Sequence, residues 1–161
     1  MTPDMSHAEL VERAVRWLKK AQRCHVVFAG RQCRSGEIPD AIGWTSSCVS
    51  HLVECKVSRA DFFADARKRH RQEGNLAAVG SFWWYLVPPG LVGPLEVPER
   101  WGLAEVTPRR VKVVRHALSY KRSELAVSIE MGLLMSEVRR YQLHGITYPP
   151  LRAQTAPGEP T

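Results

Sequence analysis

The chain has no apolar run as long as the roughly 18 residues that a transmembrane helix requires. It also lacks the basic and then apolar pattern of a secretion signal, because Asp4 and Glu9 interrupt the N-terminal segment. We therefore expect a cytoplasmic protein with no membrane partner. No internal repeat is visible, which argues against a solenoid or propeller architecture.

Cysteine and histidine are too few and too scattered to suggest a zinc site. The four cysteines lie at positions 24, 33, 48 and 55, and no two have the spacing of a zinc knuckle. None of the six histidines adds a ligand pattern. Without a secretion signal, free thiols are the expected state of these cysteines.

Acidic residues are outnumbered, with 16 Asp and Glu against 23 Lys and Arg, a formal net charge of +7. An excess of positive charge favours a polyanionic partner, which is usually nucleic acid. A basic surface without a specific partner is the alternative that charge alone leaves open.

The 161 residues are enough for one domain with a substantial core, which we place at residues 1–152. The Pro/Gly-containing tail 153–161 is expected to be disordered. Apolar periodicity and turn signals predict the order α-β-β-β-α-β-β-β-α, a mixed sheet with helices packed on it. The predicted helices span 6–23, 58–71 and 123–141, and the strands span 24–29, 37–44, 51–57, 81–87, 101–106 and 110–115. Ser6 and Glu9 have the spacing of a capping box at the first helix.

The second and third predicted strands form a hairpin with an unusual charge pattern. If its turn centres on Ser47, Asp40 lies directly opposite Glu54, because each is seven residues away. Lys56 then projects from the same face as Glu54. Directly opposed like charges destabilise a sheet, unless a cation lies between them, and hard divalent cations favour oxygen ligands. A salt bridge between Lys56 and the acids on an exposed face is the alternative.

Pro39-Asp40 and Glu54-Cys55-Lys56, preceded by a helix that bears a glutamate, resemble the PD-(D/E)xK nuclease superfamily. That superfamily has a restriction-endonuclease-like core of a helix, a three-stranded antiparallel meander, a helix and a further strand. The same order is predicted here from Ser6 to Val87. The run from Ser58 to Phe62, with Lys68 one helix later, is similar to the MmcB-like branch and to phage-encoded nucleases.

The resemblance implies a DNA nuclease that depends on Mg²⁺ or Mn²⁺ and acts in repair, recombination or phage DNA processing. Asp40 and Glu54 would be metal ligands together with the backbone carbonyl of Cys55, and Lys56 would act on the water or the phosphate. The first helix would contribute a further catalytic acid. Glu9 is favoured for it, with Glu12 as the alternative.

A cluster of cations follows the predicted hairpin, and phosphate contacts from such residues give affinity without sequence preference. The candidate DNA-binding residues are Arg59, Lys68, Arg69 and Arg71. Compensation of a helix dipole is the alternative role. A catalytically inactive DNA-binding protein with the same fold is the rival function. The last helix is a candidate interface for a homodimer.

Overall fold

The computed structural model describes residues 5–66 and 74–145, which form an α/β fold in the predicted order. The helices are α1 His7–Lys20, α2 Arg59–Ala66 and α3 Glu124–Leu143. The strands are β1 Val26–Ala29, β2 Ala41–Trp44, β3 Ser50–Cys55, β4 Phe82–Val87, β5 Gly102–Val106 and β6 Val111–Arg115. The predicted tail lies outside the described residues.

The strands form one six-stranded mixed sheet in the order β1-β2-β3-β4-β5-β6. The first three strands are an antiparallel meander, β4 and β5 continue parallel to β3, and β6 pairs antiparallel with β5. The predicted fold class is therefore confirmed, and so is the expected edge position of β6. None of the helices within 5–66 and 74–145 is long and apolar enough to span a membrane.

The hairpin of β2 and β3 has the predicted register. Ala41 lies opposite Val53 and Trp44 opposite Ser50, so continuing the register by one residue places Asp40 opposite Glu54. The turn closes through hydrogen bonds from the Thr45 N–H to the Val49 carbonyl and from the Cys48 N–H to the Thr45 carbonyl.

The first arm of the hairpin is shorter than predicted, because β2 begins at Ala41 and residues 37–40 precede it. Pro39 has no N–H to donate, which disfavours strand pairing at that position. Asp40 consequently lies at the end of the paired region, where its side chain keeps partial access to solvent.

The capping box at the start of α1 is confirmed, since Ser6 and Glu9 exchange both hydrogen bonds. The helix ends near Lys20, a few residues before the predicted end. Its buried residues Leu10, Ala14 and Leu18 pack on one face of the sheet against Val53 and Cys55.

The opposite face of the sheet is covered by α2, α3 and the long connection between β4 and β5. Phe62 of α2 and Leu133 of α3 belong to one core cluster with Leu52 and Tyr85. The aromatic residues Trp83, Trp84 and Tyr85 of β4 are buried, so they serve packing rather than base stacking.

Glu130 joins α3 to the hairpin and to the start of β4. Its buried carboxylate accepts hydrogen bonds from Trp44 Nε1 at 2.8 Å, Arg122 Nη1 at 2.6 Å and Ser50 Oγ at 3.0 Å. The backbone N–H of Gly80 donates a fourth at 2.8 Å. One acid on the buried side of α3 thus fixes how the helix lies on the sheet.

Candidate active site

Glu54 and Lys56 lie next to each other at the C-terminal end of β3, on the face that α2 covers. They alternate with Val53 and Cys55, which face α1. Only 2% of Glu54 and 8% of Lys56 is exposed. Lys56 Nζ lies 3.2 Å from Glu54 Oε2. The structure therefore brings together two of the predicted site residues, and both are buried rather than on an exposed face.

A third ionisable residue, Asp65 of α2, completes this cluster. Its side chain is 1% exposed, and Oδ1 lies 3.2 Å from Lys56 Nζ. The hydroxyl of Tyr85 donates a hydrogen bond to Asp65 Oδ2 at 3.0 Å. Lys56 thus bridges a carboxylate of the sheet and a carboxylate of the helix.

The ammonium group of Lys56 is stabilised by its neighbours. Burial alone would lower the pKa of Lys56, but the charges of Glu54, Asp65 and Asp40 outweigh it and hold the pKa above its ordinary value. Lys56 is therefore protonated at neutral pH. It supplies a positive charge to the cluster.

Asp40 lies at the same end of the sheet, with its side chain 20% exposed. Its Oδ2 accepts the backbone N–H of Cys55 at 2.7 Å and lies 3.4 Å from Nε2 of His7. Burial and the charges of Asp40 and Glu54 raise the pKa of the Cys55 thiol well above its ordinary value, so this thiol stays protonated and only its backbone carbonyl is a candidate ligand.

The donor types at this sheet end suit a hard divalent cation, but among the described residues they are not gathered into a ready metal site. Asp40, Glu54 and Asp65 bring three negative charges and Lys56 one positive charge, and carboxylate oxygens are the ligands that Mg²⁺ and Mn²⁺ prefer. Within 5–66 and 74–145, no group of three or more His, Cys, Asp and Glu side chains could hold a metal ion. Two carboxylates supplemented by water and substrate phosphate are the usual environment of Mg²⁺.

Glu9, the predicted catalytic acid of α1, is bonded to Ser6 at the start of its helix rather than to the cluster of Glu54, Lys56 and Asp65. Ser6 donates to Glu9 Oε2 from its backbone N–H at 2.8 Å and from its hydroxyl at 2.7 Å. These two hydrogen bonds lower the pKa of Glu9. Glu12, the alternative, is exposed, and its Oε2 lies 4.0 Å from Nη2 of Arg16. The side chain of α1 that reaches Asp40 is His7, which the sequence pattern does not single out.

Arg59 is the one predicted DNA-binding residue within the described part of the chain. Its guanidinium pairs with Glu96 and donates to the Leu91 carbonyl at 2.9 Å. It therefore ties α2 to the connection between β4 and β5. The other three candidates, Lys68, Arg69 and Arg71, lie outside the described residues.

Asp65 and Tyr85 are the site residues that sequence reasoning missed. Asp65 follows Phe62 by three residues, so helical periodicity places this acid on the apolar side of α2. An acid on an apolar helix face indicates a buried polar contact, but the sequence does not identify its partner. In the structure, Tyr85 lies beside Glu54 in the neighbouring strand and donates a hydrogen bond to Asp65, which connects Asp65 to the site.

No protein-family model and no curated protein matches the chain. A solved structure of a protein of unknown function from Silicibacter pomeroyi is similar to it, with a TM-score of 0.62 and 21% sequence identity. The similarity covers 94% of this chain and 99% of the other. At this level of identity, the likeness shows the fold alone.

Proposed function

We propose that the protein is a DNA nuclease of the PD-(D/E)xK type that depends on Mg²⁺ or Mn²⁺. The observation that supports this most is the placement of Asp40 at the sheet end where the buried cluster of Glu54, Asp65 and Lys56 lies. Such a group is costly to bury for stability alone, because each ion loses its hydration. A role in repair, recombination or phage DNA processing follows from the resemblance in sequence.

Asp40, Glu54 and the Cys55 carbonyl would hold the ion, and the ion would supply a nucleophilic hydroxide and neutralise the phosphate. The backbone N–H of Cys55 donates to Oδ2 of Asp40 and so fixes the position of this carboxylate. Lys56 stays protonated and favours negative charge on a phosphate oxygen. Asp65 and Tyr85 keep the ammonium of Lys56 in position.

A catalytically inactive DNA-binding protein with the same fold is the second candidate. One observation favours it: Glu54 Oε2 already accepts a hydrogen bond from Lys56 at 3.2 Å, so the cluster neutralises part of its own charge. The two functions make different predictions about metal and about Asp40.

The test is cleavage of plasmid, branched and single-stranded DNA with Mg²⁺, with Mn²⁺ and with EDTA. We expect cleavage only with metal, and a loss of at least about 100-fold in Asp40→Asn and Glu54→Gln, as for removal of one electrostatic stabiliser. Asp61→Asn is the matched control, because Asp61 is an exposed acid one helical turn before Asp65. It should cleave like the wild type.

Equal nicking by the wild type and Asp40→Asn contradicts the proposed nuclease. If no DNA is cut, yet the protein binds DNA with an affinity that falls as salt rises, the inactive DNA-binding protein is supported instead. Far-ultraviolet circular dichroism of each variant separates loss of catalysis from loss of fold.

A further inference from the structure

A second charged feature lies beside the carboxylates. The connection between β1 and β2 and one side of α3 enclose a cleft of about 740 Å³. Arg31, Arg34 and Arg140 line it, together with the polar side chains of Gln32 and Ser136. Its volume is in the range of small-ligand sites, and its charged groups are mainly guanidinium groups.

A buried acid positions two of these arginines. The side chain of Glu137 is 7% exposed, and its Oε1 lies 3.4 Å from Arg31 Nε and 3.7 Å from Arg140 Nε. The two arginine side chains are themselves 44% and 56% exposed. Glu137 therefore restrains both guanidinium groups and leaves much of their surface open to a ligand. With Arg34, the cleft carries three positive charges against one negative charge.

Gly132 lies in the wall of the cleft, in the middle of α3. A Cβ added there would meet nothing within 4 Å. Glycine lowers the stability of a helix interior relative to alanine, and no close packing requires it here. Its absence of a side chain keeps this wall of the cleft open.

The cleft adjoins the candidate active site. The backbone N–H of Gly30, which belongs to the cleft, donates to the carbonyl of Asp40 at 3.2 Å. The cleft residue Leu133 packs in the core cluster of Leu52, on the same face of the sheet as Glu54. A chain of phosphates that passes the carboxylates at this sheet end would thus meet the arginines next.

We infer that this cleft binds backbone phosphates of the nucleic acid strand that flanks the cleaved bond. The inference rests on the proposed nuclease function, and it assigns the phosphate contacts to Arg31, Arg34 and Arg140. Guanidinium groups suit this task because their planar N–H donors match phosphate oxygens in pairs.

The first test measures binding of short single-stranded and duplex oligonucleotides in EDTA over a series of salt concentrations. Arg31→Ala/Arg140→Ala should weaken binding of the preferred oligonucleotide about 10-fold or more, and should lower the slope of log affinity against log salt by about 1.4 to 1.8. Arg16→Ala/Lys20→Ala is the matched control. Those two cations line a basic recess on α1, which packs on the other face of the sheet.

The second test blocks the cleft without changing its charge. Gly132→Trp should weaken oligonucleotide binding as much as the double arginine variant does. Gly132→Ala adds only a methyl group and should bind like the wild type, with a raised melting temperature.

An unchanged affinity and salt slope in Arg31→Ala/Arg140→Ala, or an equal loss in the α1 control, overturns the inference. So does competition by inorganic phosphate or a mononucleotide at the concentration at which the oligonucleotide competes, because that indicates a small-molecule site. Failure of this inference can be distinguished from failure of the proposed nuclease function. Asp40→Asn should still bind in EDTA, and the double arginine variant retains every residue that would hold the metal.

Discussion

Lys56 compensates the charge of two buried acids, and the energetics of the site depend on it. Its ammonium lies 3.2 Å from both Glu54 and Asp65. A buried ion pair need not stabilise a protein overall, but removing one partner leaves an uncompensated charge in a poorly hydrated place. The same residue would then have two separable functions, in folding and in charge stabilisation during cleavage.

Lys56→Met should lower the free energy of unfolding by about 3–5 kcal/mol, because Glu54 and Asp65 lose their common counter-ion. The loss should shrink as pH falls, since the uncompensated carboxylates can then take up protons. Urea denaturation at several pH values measures both effects. Lys112→Met, on the exposed side of the edge strand β6, is the control and should change little. A loss as small as that of the control would contradict the bridging role.

His51 gives the stability a pH dependence of its own. Its ring stacks on Phe82 and accepts a hydrogen bond from Trp84 Nε1 at 3.3 Å. Burial lowers the pKa of His51 from 6.5 to about 4. Between pH 6.5 and about pH 4, His51 therefore binds a proton more readily in the unfolded chain than in the folded one. The stability contributed by neutral His51 is present above pH 6.5 and is lost as pH falls toward 4.

The expected loss is up to roughly 3 kcal/mol across that interval, since one pKa unit corresponds to about 1.4 kcal/mol. His51→Asn retains an acceptor for Trp84 and cannot titrate there, so its unfolding free energy should depend less on pH than that of the wild type. Urea denaturation curves of the two proteins between neutral pH and pH 4 provide the comparison. Parallel pH profiles would show that His51 does not titrate in this way.

Among the elements, α3 depends most on a single polar residue for its placement. The four hydrogen bonds that Glu130 accepts come from β2, β3 and the segments that precede β4 and α3. The backbone N–H of Gly80 and the indole N–H of Trp44 are buried and would lose the oxygen to which they donate if the carboxylate were removed.

Glu130→Gln should lower the free energy of unfolding by about 2–4 kcal/mol, because an amide nitrogen cannot accept hydrogen bonds and the partner Arg122 loses its counter-charge. Chemical denaturation measures this. Glu124→Gln changes an exposed acid in the first turn of the same helix and should have a much smaller effect. Similar losses in both variants would indicate a general charge effect on α3 rather than a specific junction.

Local sequence signals predict the elements well because each signal acts within a few residues. The capping box fixes the start of α1, and turn residues between two apolar arms fix the register that opposes Asp40 and Glu54. Element ends are less well predicted. β2 is shorter than its apolar pattern because Pro39 precedes it, and α1 ends before Arg23.

Contacts between distant segments are what the sequence does not predict. Lys56 meets Asp65 and Asp65 meets Tyr85 only because α2 packs over β3 and β4. In the same way, Arg59 was predicted to contact DNA from its charge, whereas its pairing with Glu96 depends on the path of a loop. Periodicity shows that Asp65 and Glu130 fall on buried helix faces, but it does not name their partners.

For the whole molecule, two basic surfaces lie on opposite faces of the sheet. Three arginines line the cleft beside Asp40, and a second basic recess lies on α1 on the opposite face. The predicted homodimer interface on α3 stays a prediction. This helix exposes a set of large apolar residues: Leu125, Val127, Met131, Met135, Tyr141 and Leu143. Net charge alone could not distinguish these surfaces, because it carries no positional information.

The register of the β2–β3 hairpin also constrains how this protein can evolve. Side chains alternate between the two faces of a sheet, so a single residue inserted within Ala41–Trp44 or Ser50–Cys55 would shift part of the strand by one position. An insertion in β3 ahead of Glu54 would turn both Glu54 and Lys56 toward α1, and Val53 or Cys55 would then face Asp65. Insertions within the Thr45–Val49 turn leave both faces unchanged. Among descendants of this sequence, we therefore expect length variation in the turn and none in the two strands.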